Sequence, residues 1–258
     1  MTSAKEIANE CKSILQNSPN AASPEGEFWS LCYHHRTLGE LSSLRAELLK
    51  NVSSPARKAL RALILGLLHG PRNKGLPSYL SNQMPRTYAS KPDYSVRYWK
   101  KNGMEPVYIN LAELVERKAA YYFSSSQSDT PFHVLCGDSR TLNLKKLGVR
   151  FSSVITSPPY YGMQTYVPDQ WLRYWFLGGP ETVTYKHDHQ LSHASPTDFS
   201  EQLANVWENV AQSCHSGAVF TIRFGGIHDR KAHPKGIILD SIYGADCKLK
   251  VLTSRSAG

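Results

Sequence analysis

The chain has 258 residues, enough to bury a substantial core in one large domain or in a compact domain with an appendage. A hydrophobic content of 41% with 20% charged residues excludes a wholly disordered chain. No run of about 18 apolar residues is present, and the start, MTSAKEIANECKS, lacks both an apolar signal core and an Arg-rich face, so the expectation is a soluble, cytoplasmic protein without a membrane span. The formal net charge of +9 favours an acidic partner such as nucleic acid. Five widely spaced cysteines with no C-x-x-C pair read as reduced thiols.

In chain order, residues 28–50 carry apolar side chains at helical spacing (Leu31, Leu38, Leu41, Leu44, Leu48), and residues 55–69 form a second helix entered through Ser54-Pro55. Residues 70–106 are read as irregular. There Arg72, Lys74, Arg86, Lys91, Arg97, Lys100 and Lys101 alternate with Tyr79, Tyr88, Tyr94, Tyr98 and Trp99. Cations mixed with stacking rings suit a nucleic-acid strand, and the other reading is an extended loop that packs its aromatics on the helices. Residues 111–123 form a further helix, and the serine-rich patch at 124–128 reads as a linker. This divides the chain into a helical unit, residues 1–125, with a basic aromatic loop at 72–106, and an α/β portion, residues 130–258.

Beyond the linker, strands and helices alternate. Residues 132–136 and 152–156 read as strands, 170–176 as a short helix and 199–214 as a longer one. Ser195 is the expected N-cap of that helix, with Pro196 at N1, Asp198 at N3 and Gly217 as its stop. A strand at 218–224, a helix at 235–243 and a last strand at 248–253 follow. The alternation predicts an open α/β sheet with ligands at the carboxyl ends of its strands.

At one such end the strand empties into Ser157-Pro158-Pro159-Tyr160. The stretch VITSPPY, residues 154–160, resembles the catalytic motif of the S-adenosylmethionine-dependent amino methyltransferases, in which Asp, Asn or Ser precedes Pro-Pro and an aromatic residue. These enzymes methylate the exocyclic amine of cytosine or adenine in DNA. That amine is a poor nucleophile because its lone pair is delocalised into the ring. Two acceptors that hold its hydrogens out of the ring plane restore the lone pair, and Ser157 Oγ and the Pro158 carbonyl can be those acceptors. The prolines fix φ and so aim the carbonyl in advance. Tyr160 would stack on the flipped base, whose extrusion costs roughly a few kcal/mol.

The resemblance extends over residues 132–230 and, more faintly, over 55–123. Cys136-Gly137-Asp138-Ser139-Arg140 resembles the segment whose acid lies near the cofactor's adenosine. This implies Asp138, Ser139, Thr156 and Ser157 as cofactor residues. The run 162–173 and the stretch 222–227 look like continuations found in one branch of site-specific DNA methyltransferases, and the segment 78–86 has a counterpart there. Tyr161, Arg86, Tyr88, Arg97, Arg173 and Arg223 are the corresponding DNA-contact candidates, Arg223 being equally open to pairing with Asp229. A serine before Pro-Pro favours cytosine N4 over adenine N6. Methylation at cytosine C5 needs a nucleophilic cysteine, usually preceded by proline, and none of the five has that neighbour. His187, His189 and His193 lie in a polar stretch without helical framing and read as a solvated loop, not a metal site.

The resemblance also implies a Rossmann-like methyltransferase sheet with a glycine-rich turn for S-adenosylmethionine, commonly aromatic-x-Gly-x-Gly. Leu177-Gly178-Gly179-Pro180 runs into a proline, and Phe224-Gly225-Gly226 precedes a basic loop. Three explanations stand: a split enzyme whose second polypeptide carries that turn, a silent relative that only binds DNA or protein, or a truncated product. The intact Ser157-Pro158-Pro159-Tyr160 favours the first. A split enzyme should expose a sheet edge and an apolar face for its partner.

Overall fold

A computed structural model describes residues 2–18, 21–70, 76–82, 91–124, 130–163, 166, 168–185, 191–226 and 232–255. They form two compact units, Met1–Thr130 with Thr165–Tyr185, and Pro131–Gln164 with Lys186–Gly258. The segment 165–185 therefore belongs to the helical unit, where the sequence pattern assigned it to the α/β portion. Its reason is aromatic. Trp171 packs against Phe28 with ring centroids 5.1 Å apart, and Trp175 against Trp29 at 4.7 Å.

The helical unit opens with α1 (Ala4–Asn17), an element the pattern did not flag. Ser3 and Glu6 close a reciprocal capping box, and Ile7, Ala8, Cys11 and Ile14 form its buried stripe. The helix expected over 28–50 is two helices, α2 (Glu27–Cys32) and α3 (His35–Lys50). Tyr33 is extended between them with its hydroxyl on the Leu68 carbonyl at 2.8 Å, and His34 caps α3 by accepting from the Arg36 amide. Helix α4 (Pro55–Leu67) starts as read, with Ser54 as N-cap and Pro55 in the first turn. The region read as irregular contains α5 (Pro92–Lys101), which buries Ser95, Val96 and Trp99. Its surface cations masked the short apolar stripe. Helix α6 (Leu111–Tyr122), capped by Asn110, and α7 (Trp171–Phe176) complete the unit.

The second unit pairs β1 (Phe151–Thr156) with β2 (Cys214–Ile222) in parallel, with Val154 opposite Phe220 and Thr156 opposite Ile222. The crossover carries α8 (Pro196–Ala211), whose N-cap Ser195 Oγ accepts from the Asp198 amide at 3.0 Å, and α9 (Pro234–Gly244) follows β2. Gly217 does not stop α8. It lies inside β2 at φ +80°, where the ladder shifts register, a left-handed conformation that glycine adopts without strain.

One face of this sheet is covered. Phe220 and Ile222 pack with Phe199, Leu203, Trp207 and Ile237 of α8 and α9. The opposite face carries Ile155, 83% exposed, and Val219. Residues 132–136 and 248–253 were expected as strands, but among the described residues they join no ladder. A strand needs a neighbour to satisfy its backbone, and the described residues offer none there. Phe132, Val134 and Leu252 are accordingly at least 80% exposed. The protein is a mixture of helices and a small parallel sheet. No described helix is long and apolar enough to cross a membrane.

Candidate functional site

Ser157 to Tyr160 leave the carboxyl end of β1, and Arg223 to Gly225 leave that of β2. The two exits are held level, because the Arg223 amide donates to the Thr156 carbonyl at 2.9 Å. Ser157 and Pro159 are exposed, Pro158 is buried, and Thr156 and Tyr160 are half-buried. Pro158 thus anchors a motif whose serine faces outward.

Tyr160 meets Phe224 edge to face, with centroids 5.6 Å apart and planes at 83°. Its ring also lies on the bare backbone of Gly225, where a Cβ would stand 3.1 Å from Tyr160 Cε2 and Cζ. The glycine lets the aromatic ring approach the backbone closely. Tyr160 closes a turn by accepting the Met163 amide at 3.1 Å, with Gly162 inside it at φ +82°. Tyr161, a DNA-contact candidate from the sequence, packs its half-buried ring edge-on against fully buried Phe199 at 5.6 Å.

The segment around Asp138 has its own geometry. Arg140 grips the Asp138 carboxylate with two nitrogens, Nε at 3.0 Å from Oδ1 and Nη2 at 2.6 Å from Oδ2, and reaches Gln202 of α8 with Nη1. The carboxylate raises the Arg140 guanidinium pKa above its usual value. Asn209 of α8 donates to the Ser139 and Leu142 carbonyls, each at 2.9 Å. A shallow depression of about 360 Å³ lies here, lined by Asp138, Arg140, Thr141, Asn205, Glu208 and Asn209 among others. Asp138 and Ser139 are exposed.

The basic candidates are scattered. Arg97 is exposed on α5 of the helical unit. Arg173 belongs to that unit too, and its Nε donates to the Leu65 carbonyl at 2.9 Å, fastening α7 to α4. Arg223 is exposed just after β2. Arg86, Tyr88, Asp229, His187, His189 and most of the serine-rich patch lie outside the described residues.

Gly225 and His193 have roles in this site that sequence reasoning missed. The sequence offers Phe224-Gly225-Gly226 as part of a family-like continuation and as a poor cofactor turn, and only the parallel pairing of β2 with β1 puts Gly225 under the Tyr160 ring. His193, expected in a solvated loop and not at a metal site, accepts a hydrogen bond from the Gly162 amide. Comparisons with protein-family models, with curated proteins and with solved structures each returned no match.

Proposed function

We propose that this chain is the catalytic part of an S-adenosylmethionine-dependent, site-specific DNA methyltransferase acting on an exocyclic amine, with cytosine N4 preferred over adenine N6. A second polypeptide would complete a Rossmann-like sheet and the methyl-donor pocket. The observation that carries the reading is the placement of Ser157-Pro158-Pro159-Tyr160 at the carboxyl end of a parallel strand, with Tyr160 laid on Gly225 at the neighbouring strand's end.

In this reading exposed Ser157 Oγ and the Pro158 carbonyl accept the two amine hydrogens and turn the lone pair out of the base plane. Buried Pro158 holds that carbonyl without reorganisation during the reaction. Tyr160 offers a ring to the flipped base, backed by Gly225 and Phe224. Asp138, pinned by Arg140, presents carboxylate oxygens of the kind a ribose diol donates to, and Ser139, Thr156 and Ser157 are the other cofactor residues of this reading. These groups fit the nucleoside end of the donor. S-adenosylmethionine, when bound, supplies an electrophilic methyl group. Arg97 and Arg223, with Arg86 and Tyr88, are the proposed DNA contacts, and Arg173 and Tyr161 support the framework that carries them.

The need for a partner rests on the sheet. Parallel sheets are ordinarily covered on both faces, and here Ile155, Val219, Phe132, Val134 and Leu252 lie open. A polypeptide carrying the glycine-rich strand and helix would cover them and offer its own edge to unpaired backbone.

The test is transfer of a labelled methyl group from S-adenosylmethionine to DNA by the chain alone, by the chain with its co-purifying partner, and by that complex with Ser157→Ala. Loss of one charge-orienting contact is expected to lower turnover by about 100-fold or more. Equal activity of the variant overturns the catalytic assignment, and full activity with tight donor binding by the chain alone overturns the split. Salt-sensitive DNA binding with no transfer in any combination would make the protein a binding module.

A further inference from the structure

We propose that His193 is a positioning residue for the Ser157–Tyr160 motif, acting through the backbone of Gly162 and not on the base. Its role in turnover rests on the methyltransfer reading above, while its role in the structure does not. The starting point is the turn that follows the motif. Gly162 has φ +82°, and the Met163 amide closes back on the Tyr160 carbonyl at 3.1 Å. That geometry sends the Gly162 amide away from the turn, and it needs an acceptor. His193 Nδ1 takes it at 3.0 Å.

An N–H donor at Nδ1 dictates the chemical state of the ring. Nδ1 must carry a lone pair, so the imidazole is neutral with its proton on Nε2. The ring is also well anchored. It lies 5.3 Å from the Phe199 ring at an angle of 32°, and Phe199 is wholly buried at the start of α8. The chain on either side is tied as well. The Ser192 amide donates to Gln202 Oε1 at 3.1 Å, the Ala194 amide to Ser192 Oγ at 3.2 Å, and Ser195 caps α8. The acceptor is therefore carried by the amino end of a packed helix.

The consequence reaches the motif from its far side. Tyr161, between the motif and Gly162, packs on the same Phe199 and lies 6.0 Å from the His193 ring. Tyr160 is seated by Phe224 and Gly225. Tyr161 is thus docked on the α8 side of the sheet and Tyr160 on the end of β2, and His193 accepts the Gly162 amide between them and α8. Released there, the turn can swing Tyr160, and with it the Pro158 carbonyl two residues upstream. A misplacement of this kind lowers turnover without weakening DNA binding.

The test exploits the two ring nitrogens. In His193→Asn the side-chain oxygen stands in for Nδ1, in His193→Gln the amide reaches instead toward the Nε2 position, and His193→Phe keeps the stacking with no acceptor. On the isotope-labelled full chain, the Gly162 amide is read by its proton shift and hydrogen exchange, and the Tyr160 ring by its shifts, with Leu203 and Trp207 reporting that α8 remains folded. The Asn variant is expected to stay near wild type. The Gln and Phe variants should move the Gly162 and Tyr160 signals, and Gly162 should exchange about tenfold faster. In methyl-transfer assays with the partner, kcat should fall about tenfold in the Gln and Phe variants at unchanged KM for DNA, with rescue in the Asn variant. Unchanged Gly162 signals in the Phe variant, or Asn and Gln variants that behave alike, overturn the proposal. Absence of transfer by the wild type overturns the methyltransfer reading alone, because the Gly162 and Tyr160 signals still decide what His193 holds.

Discussion

The helical unit and the α/β unit solve the burial problem to different extents. In the first, Leu41, Leu44, Leu60, Ile64, Trp99 and Trp175 are each at most 1% exposed, and half-buried ion pairs such as Arg57 with Glu10 at 2.7 Å tie its helices together. In the second, the core is confined to the side of the sheet under α8 and α9, while Ile155 and Val219 look outward. A helix has one apolar stripe to hide and is satisfied by a few neighbours. A parallel strand has two faces and two edges, and a two-strand sheet satisfies only part of each. The lesson is a division of labour: the helical unit holds most of the packed core, and the α/β unit holds the proposed chemistry next to an exposed apolar face.

The sharpest way to break this contrast is to attack the helical core. Trp175→Ala should cost about 3–5 kcal/mol through the cavity it leaves, and hydrogen exchange should show the loss in α2, α3 and α7 while the amides of α8 keep their protection. Trp175→Phe should cost far less, because the Trp175 Nε1 has no hydrogen-bond partner among the described residues. Comparable loss in both units would mean that they fold as one cooperative block.

Acid should act on the same unit. Burial, helped by the charge of Arg173, pushes the His69 imidazole down to about 4 from an ordinary 6.5. Between those values the unfolded chain binds a proton that the folded one refuses. Stability is therefore full above pH 6.5 and falls as the pH drops toward 4, by about 3 kcal/mol for this group. Denaturant titrations at pH 7 and pH 4.5 should show this loss in the wild type and a smaller one in His69→Gln.

In the α/β unit the effects should be smaller and local. Gly225→Ala places a methyl 3.1 Å from the Tyr160 ring, which should cost about 1 kcal/mol of overpacking and shift the Tyr160 ring signals without disturbing α1 to α7. The smallest effect on the isolated chain belongs to the open face. Ile155→Ser should change its stability by less than about 0.5 kcal/mol, because the side chain is already in water. Co-purification should nonetheless show a lost or weakened partner. A large destabilisation by Ile155→Ser would show that the face is covered within the chain itself.

Much of the framework was legible. Ser54-Pro55 and Ser195-Pro196 announced their helices, since a capping oxygen and a proline at N1 are local devices that need no distant contact. The apolar run before Ser157 announced β1 for a similar reason. The capping box at Ser3 and Glu6 is equally local. Other features were hidden by the nature of their causes. The break at Tyr33 depends on a hydroxyl finding the Leu68 carbonyl across the core, and α5 hides its apolar stripe among cations. In the site, Ser157-Pro158-Pro159-Tyr160 could be read directly, while the roles of Gly225 and His193 could not, because each acts on a residue more than thirty positions away.

By itself, then, the sequence determined the starts of α4 and α8, the strand that delivers Ser157 to Tyr160, and the residue types that suit a grip on an amine, all of which follow from backbone geometry over a few neighbouring residues. The tertiary structure decided that 165–185 joins the helical unit, that 132–136 and 248–253 find no ladder among the described residues, and that Tyr160 rests on Gly225 while His193 holds the turn beyond it. Ring packing and strand pairing are settled by which surfaces remain to be buried once the chain has folded back on itself, and local sequence carries no record of that partner.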